Sequence, residues 1–397
     1  MENKYHVLKR PPENIFDAFM PKSDVKEFYN WCVTKEKLFI YGAGKIAKGI
    51  AWFLKQCDIS LEGFVTSDTF DEWKTDYEKG ICGIIVGIGQ EKIPQIRYNL
   101  NTLEVNDVYE LPPDVSYDMQ LKSDPNYIRE NLNLLFNIVD GCNLNCKGCK
   151  NFSPLAKKTD IYEFDQIKKD LNHFKSLGIE KINRVFVSGG EPTLHPNLFE
   201  VLSFIRQLYP QSIIELVTNG IELYKYDDSK WKKLKALDIT LSMSDYNIGN
   251  IFPENIKKSE SFGIKYNTMT QKENERTATN KKEFVKWQIN LDKASPPYTY
   301  FNCKRYIGRT SIHIHNGIIA PCCFMIFSNL YFNKAFNQNL IMIENQDYVN
   351  LYETTAEEIF NFATTRYPYC GYCDMEKNKL VYWDKNKNEG HQIEDWI

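Results

Sequence analysis

The sequence predicts an α/β chain: two consecutive blocks of strands alternating with helices, followed by a short-segmented, cysteine-rich C-terminal region. Short apolar runs of strand length recur between helical patterns. Glycine-bearing turns follow two of these runs where a strand gives way to a helix or loop. Most of the eleven cysteines fall after residue 140. A chain of 397 residues has room for two or three domains and a large buried core.

Taken in order, residues 1–36 form an N-terminal segment with a Pro11-Pro12 turn and a short amphipathic helix near Asp24–Val33. Residues 37–111 open with Leu38-Phe-Ile-Tyr-Gly42-Ala-Gly44-Lys-Ile-Ala47, a strand running through a Gly-rich turn into a helix that ends near Gln56. Further strands follow at Leu61–Val65 and Gly83–Gly87, with an apolar stretch at Val105–Leu111. Strand, tight turn, helix, strand is the start of a Rossmann-like unit. Gly42 and Gly44 sit where a phosphate is bound at a helix N-terminus, and Asp68 is a candidate ribose contact after the second strand. Residues 112–130, with their prolines and aspartates, read as a linker.

The alternation restarts at residue 131 and runs to 295. Apolar runs Leu134–Val139, Ile182–Val187, Ile213–Val217, Ile239–Leu241 and Ile264–Tyr266 have the look of buried parallel strands. Helical patterns between them include Phe164–Leu177, Leu198–Leu208 and Lys230–Leu237. Such repetition predicts a partial or complete barrel with its chemistry at the C-terminal strand ends. Residues 296–397 then form the cysteine- and aromatic-rich region.

The formal charge of −3 gives no support for a nucleic-acid-coating protein. No run of 18 or more apolar residues exists, and the start lacks the layout of a signal peptide, so no membrane partner and a cytoplasmic location are expected. In a reducing compartment, cysteines are metal ligands or buried thiols before they are disulfides. Cys32, Cys57 and Cys82, isolated among apolar neighbours, read as small buried hydrophobes.

The chemistry concentrates at two strand ends. Cys142-Asn-Leu-Asn-Cys146-Lys-Gly-Cys149 follows the first strand of the second block, and Ser188-Gly189-Gly190-Glu191-Pro192 follows the next. Three soft thiolates at this spacing suit three irons of a [4Fe–4S] cluster and leave the fourth iron open. Zinc is the alternative, but no Cys or His lies within about twenty residues after Cys149, and His173 and His195 would have to arrive by the tertiary fold. Together the two motifs resemble the radical S-adenosylmethionine (radical SAM) superfamily.

That resemblance implies a partial (β/α)6 barrel, an open iron that chelates S-adenosylmethionine, reductive cleavage to a 5′-deoxyadenosyl radical, and hydrogen abstraction from an unactivated carbon. It implies close approach of Gly189 and Gly190 to the methionine amine, charge balance by Glu191, and cofactor contacts from Ser188, Thr218 and Asn219. Ser242 and Ser244 match the family's ribose-contacting position; ordinary strand-end capping is their other reading. Gly148 departs from the aromatic residue common before the third cysteine. Lys147 and Lys150 would suit an acidic electron donor of the flavodoxin or ferredoxin type, or are merely exposed lysines.

Further on, Cys303, Gly317 and Cys322 resemble the start of a SPASM or twitch extension, with a hairpin over Ser311–Ile319 turning at Asn316-Gly317. A full SPASM segment carries two clusters, and the cysteines here suffice for one. Cys303, Cys322, Cys370 and Cys373 make a complete set for an auxiliary [4Fe–4S] cluster, with Cys323 as the rival of Cys322; four cysteines also satisfy a structural zinc. The front block resembles the truncated nucleotide-binding-like modules of glycan-tailoring enzymes, and either holds a sugar nucleotide or docks a partner. The function expected is therefore a radical SAM oxidoreductase modifying a small polar substrate, a sugar or sugar nucleotide, by oxidation or epimerisation. Alternatives are a SPASM-type peptide maturase, which would carry a helical precursor-recognition module in place of this front, and a zinc-stabilised binding protein.

Overall fold

A computed structural model describes residues 5–7, 23–66, 69, 81–246, 248–269, 283–286, 288–303, 311–374, 379–382 and 390–397. Asp68 and the Pro11-Pro12 turn lie outside the described residues, as does most of the Lys- and Glu-rich stretch that precedes residue 283. The chain divides into two compact units. The first comprises Met1–Ile128, Pro296–Gly308 and Thr364–Arg366, and the second Arg129–Ser295, Arg309–Ala363 and Tyr367–Ile397.

The first unit is built on strands β1 (Tyr5–Val7), β2 (Lys37–Tyr41), β3 (Gly63–Val65), β4 (Cys82–Val86) and β5 (Val108–Glu110), all paired in parallel in the order β1-β5-β4-β2-β3. The order reverses between β2 and β4, the doubly wound arrangement whose switch point lies beside the Gly42–Gly44 turn. Tyr41, Val65, Ile84, Val86, Leu100 and Val108 form its core.

Residues 112–130 are not a linker. They hold two helices, Pro113–Lys122 and Pro125–Asn131. Each proline opens its helix, where the missing N–H removes no intrahelical bond, so residues that read as breakers are starters. Gly49 of helix Lys45–Gln56 lets this layer close: a Cβ there would meet the Gln120 backbone N at 2.5 Å. Residues 296–303, expected with the C-terminal region, also fold here. Phe301 packs on Phe53 at 4.4 Å between ring centroids and edge-on to Trp52, while Tyr298 meets Tyr29.

The second unit contains β6 (Asn133–Val139), β7 (Arg184–Gly189), β8 (Ile213–Thr218), β9 (Ile239–Ser244) and β10 (Tyr266–Met269), parallel and in sequential order. The strand pair β11 (Glu283–Lys286) and β15 (Lys379–Tyr382) stands apart from this sheet. A sixth parallel strand, β12 (Ser311–His315), comes from the cysteine-rich region and pairs with β6, and β13 (Ile318–Ala320) and β14 (Val349–Asn350) extend that edge antiparallel. The hairpin turns at Asn316 (φ 47°) and Gly317 (φ 75°), a left-handed pair suited to these two residue types. Gly317 also donates its N–H to buried Asp170 of helix Phe164–Ser176 at 2.7 Å.

The strands are not uniformly apolar. Leu134, Phe136, Val185, Val187, Ile214, Leu216, Ile239, Leu241 and Ile314 are buried on one face, while Asn137, Ser188, Glu215, Ser242 and Asn267 follow the alternate registers. A partial barrel with a polar inner face is the result. Among the described residues no helix is long and apolar enough to cross a membrane.

Candidate functional site: the cysteine loop at the barrel mouth

Strand β6 delivers its C-terminal end directly into Asp140-Gly141-Cys142. The three cysteines that follow are half-buried free thiols. They lie within electrostatic reach of one another, for Cys142 feels both Cys146 and Cys149. Burial pushes the Cys142 thiol well above its ordinary range, the main-chain N–H of Leu144 opposes this at 3.3 Å, and Glu191 and the neighbouring thiols add to it. Burial likewise raises Cys149, against donors from Asn151 and Ser153. Burial thus favours the neutral thiol at Cys142 and Cys149, and a bound positively charged group such as the irons of a cluster would be what lets them act as thiolates. Among the described residues no three His, Cys, Asp or Glu side chains are grouped as a single metal ion would need.

The neighbouring Gly-Gly-Glu turn is shaped by the same loop. A Cβ on Gly189 (φ 151°) would lie 2.1 Å from the Val139 carbonyl oxygen, and one on Gly190 2.1 Å from that of Gly141. Gly190 N donates to Val139 O at 2.7 Å and Glu191 N to Gly141 O at 3.1 Å. The glycines therefore serve backbone-to-backbone contact between the two strand-end loops. This is a demand of the fold, separate from the cofactor approach that the resemblance implied. Asn151 closes the contact by donating to the Gly189 carbonyl at 2.7 Å.

Glu191 is fully buried at the junction of β7 and β8. Its Oε1 accepts from Thr193 N at 3.1 Å, from the Thr193 hydroxyl, and from Thr218 Oγ1 at 2.6 Å, whereas Oε2 accepts from Asn219 N at 2.8 Å. Burial raises its pKa and these donors hold it down. One oxygen is saturated; the other has a single donor and is the one free to receive more. Asn219 then reaches back, its Nδ2 donating to Asn143 Oδ1 at 2.7 Å and lying 3.7 Å from Cys142 Sγ.

Of the other expected residues, Ser188 donates to Asn137 Oδ1 at 2.7 Å across β6 and β7. Ser242 is buried and Ser244 half-buried at the end of β9. Lys147 and Lys150 are half-buried beside the loop. His195 is excluded as a zinc ligand: its Nε2 faces Tyr162 O at 3.0 Å and its Nδ1 accepts from Asn197 N at 3.0 Å, so both nitrogens are used.

Four side chains escaped the sequence reading. Tyr246 is close enough to feel Cys146, Cys149 and Cys142, and burial raises its hydroxyl pKa; its position two residues past Ser244 was the available signal. Asn143 lies inside the cysteine motif itself. His391 and Trp396 arrive from the chain end, with no local signal at all.

The C-terminal cysteines divide. Cys322 is half-buried in extended backbone ahead of helix Cys323–Phe327, whereas Cys323 is buried in that helix. Cys322 acts on buried Tyr369 of the turn Pro368–Tyr372, which carries Cys370 and leads into Cys373. Cys303 belongs to the first unit. There, Gly42 (φ 115°) is required by contact with Ile88 and the Gly87 carbonyl, while a Cβ on Gly44 would meet nothing within 4 Å.

A partial parallel barrel with three thiols at the end of its first strand defines a cluster-binding α/β enzyme class. Residues 136–249 match the family model described as the radical SAM superfamily, and that span is a radical SAM domain. A [4Fe–4S] cluster and S-adenosylmethionine are its cofactors, and the cysteine loop fits the cluster in ligand chemistry and in charge.

The chain is 30% identical over 117 residues to GTP 3′,8-cyclase of Mannheimia succiniciproducens, covering 29% of this chain and 34% of that protein. It is 31% identical over 111 residues to molybdenum cofactor biosynthesis protein 1 of Bos taurus, covering 27% and 17%. It thus spans about a third or less of these relatives. Solved structures that resemble it include BtrN in complex with AdoMet and 2-DOIA, with a TM-score of 0.38, 14% identity and coverage of 61% of this chain and 92% of that one. Native anSMEcpe with bound AdoMet gives a TM-score of 0.36, 14% identity and coverage of 62% and 84%.

Proposed function

We propose that the enzyme abstracts hydrogen from a small polar substrate, a sugar or sugar nucleotide, and oxidises or epimerises it. When bound, the cluster and S-adenosylmethionine supply a one-electron cleavage that yields methionine and a 5′-deoxyadenosyl radical. Cys142, Cys146 and Cys149 hold the cluster. The open acceptor position on Glu191 Oε2, beside Gly190 and Asn219, receives the methionine ammonium. Ser242, Ser244 and Tyr246 border the nucleoside. The observation that carries this reading is the convergence of the cysteine loop, Glu191, Asn219 and Tyr246 at one set of strand ends. The polar inner face (Asn137, Ser188, Glu215, Asn267) supports a hydroxyl-rich substrate.

The doubly wound topology of the first unit supports nucleotide binding within that unit, with Gly42 and Gly44 at its switch point. Cys322, Cys370 and Cys373, all in the second unit, are the ligands we assign to an auxiliary [4Fe–4S] cluster. The half-burial of Cys322 favours it over Cys323. A flavodoxin or ferredoxin is the electron donor we assign, met by Lys147 and Lys150.

The test is anaerobic reconstitution, reduction, and assay of 5′-deoxyadenosine with S-adenosylmethionine alone and with a panel of sugar nucleotides and GTP. Cofactor cleavage in wild type and its loss in Cys146→Ala are expected. About two zincs and no iron per chain would overturn the reading. A second reading, ring closure on a purine nucleotide, is favoured by the identity to GTP 3′,8-cyclases. A product formed from GTP without net oxidation would establish it.

A further inference from the structure

The last residues of the chain are bound to the cysteine loop by two side-chain hydrogen bonds. Trp396 is 1% exposed and donates its indole N–H to the Cys149 carbonyl at 2.9 Å. His391 Nε2 lies 2.8 Å from Asn145 Oδ1, between Cys142 and Cys146, while its Nδ1 is held 3.0 Å from Asp395 Oδ2. The indole stacks on Phe152, with ring centroids 5.7 Å apart, and meets Phe332 and Phe336 on its other sides. Phe152 is itself held at φ 53°, a left-handed setting for an aromatic residue, and donates its N–H to the same Cys149 carbonyl at 2.9 Å.

The tail is anchored from behind as well. Ile289 N donates to the Trp396 carbonyl at 2.8 Å, Ile289 bridges to Cys373, and Asn290 N donates to Tyr372 O at 2.8 Å. Trp396 and Ile289 together thus tie the loop of the first three cysteines to Cys373, next to the turn that carries Cys370. Elsewhere the loop is held at Asn143, whose Oδ1 accepts from Asn219 at 2.7 Å and whose Nδ2 donates to Glu222 at 3.4 Å. Without the tail, Asn145 and the Cys149 carbonyl would each lose a side-chain partner.

We infer that His391 and Trp396 are positioning residues for the first cluster: the C-terminal tail clasps the cysteine loop so that Cys146 and Cys149 stay in register with Cys142. The inference rests on the radical SAM reading of that loop. A clasp of this kind acts on how long the cluster is retained and how uniformly it binds S-adenosylmethionine, because loops left to their own flexibility hold metal less tightly.

The test uses the full chain, reconstituted anaerobically, in Trp396→Phe, His391→Gln, Asn145→Ala and the His391→Gln/Asn145→Ala double variant. The readouts are the rate at which an iron chelator removes the S-adenosylmethionine-responsive electron paramagnetic resonance signal, and the width of that signal. Trp396→Phe, which keeps a six-membered ring in the aromatic stack but loses the N–H donor together with the pyrrole ring, is expected to lose the signal about 10-fold faster. His391→Gln and Asn145→Ala are each expected to do the same, with the double variant no worse than either single one, since they cut one bond. Wild-type rates in Trp396→Phe and His391→Gln, or additive losses in the double variant, would overturn the clasp. A triple Cys142→Ala/Cys146→Ala/Cys149→Ala variant that kept the responsive signal would instead sink the assignment of the loop.

Discussion

Two glycine-bearing loops leave the C-terminal ends of parallel strands in this chain, Gly42–Gly44 after β2 and Gly189–Gly190 after β7, and they are built on different principles. Gly42 is fixed by its neighbours, but beyond Gly44 there is open space, and helix Lys45–Gln56 begins without a side-chain cap. Around Gly189 and Gly190 there is no space at all, and a buried carboxylate, two threonines and two asparagines converge within one residue of the cysteine loop. The first has the topology of a site. The second has the donors and acceptors of one. Strand-end position alone is permissive; the density of oriented polar groups marks where a cofactor is held.

The contrast can be broken by substitution, starting with the largest effect. Cys146→Ala is expected to abolish 5′-deoxyadenosine formation, measured by chromatography after anaerobic reduction, whereas Cys82→Ala, in the core of the first unit, should retain it. Gly190→Ala forces a methyl group onto the Gly141 carbonyl and should cost about 2–4 kcal/mol of stability by denaturant unfolding. Thr218→Val removes one of the three donors to Glu191 Oε1 and leaves the buried Gly220 N–H without its acceptor, and should cost about 1–3 kcal/mol, with weaker S-adenosylmethionine binding by calorimetry.

His195 supplies a pH test. Burial lowers its pKa below the ordinary value of 6.5, and protonating Nδ1 would break the bond from Asn197 N. Its neutral form is the one folding favours. The stability it contributes is therefore present above about pH 6.5 and lost as pH falls through the lower folded value. The melting temperature of wild type should decline over that range more than that of His195→Gln. Gly44→Ala is the mild extreme: with extended backbone and open space it should shift stability by less than about 0.5 kcal/mol. If its cost matched that of Gly190→Ala, the contrast between the two loops would be gone.

Local features were readable from the chain because their chemistry is local. The spacing of Cys142, Cys146 and Cys149, the Gly-Gly-Glu turn, the Asn316-Gly317 hairpin and the strand periods all express neighbours in sequence. Pro113 and Pro125 misled because a proline starts a helix as readily as it stops one, and only the following residues decide. The pairing of β12 with β6, the docking of Phe301 on the first unit, and the arrival of His391 and Trp396 at the cysteine loop depend on contacts between distant segments. No window of residues carries that information. Glu191, Thr218 and Asn219 were each found as cofactor contacts, but Thr193 and the bonds that Thr193, Thr218 and Asn219 make to Glu191 were not, since they reach it from two different strand ends.

The pairing of Ser311–Ile314 with Asn133–Phe136 has a consequence for biosynthesis. During synthesis β6 emerges early, yet its outer edge stays open until the hairpin that closes it has left the ribosome. A nascent or prematurely terminated chain ending before residue 311 therefore exposes a row of unpaired main-chain donors and acceptors on a Leu- and Phe-rich strand. Such fragments should collect in inclusion bodies or bind holdase chaperones, and late nonsense mutations would act through aggregation before any loss of cofactor is felt.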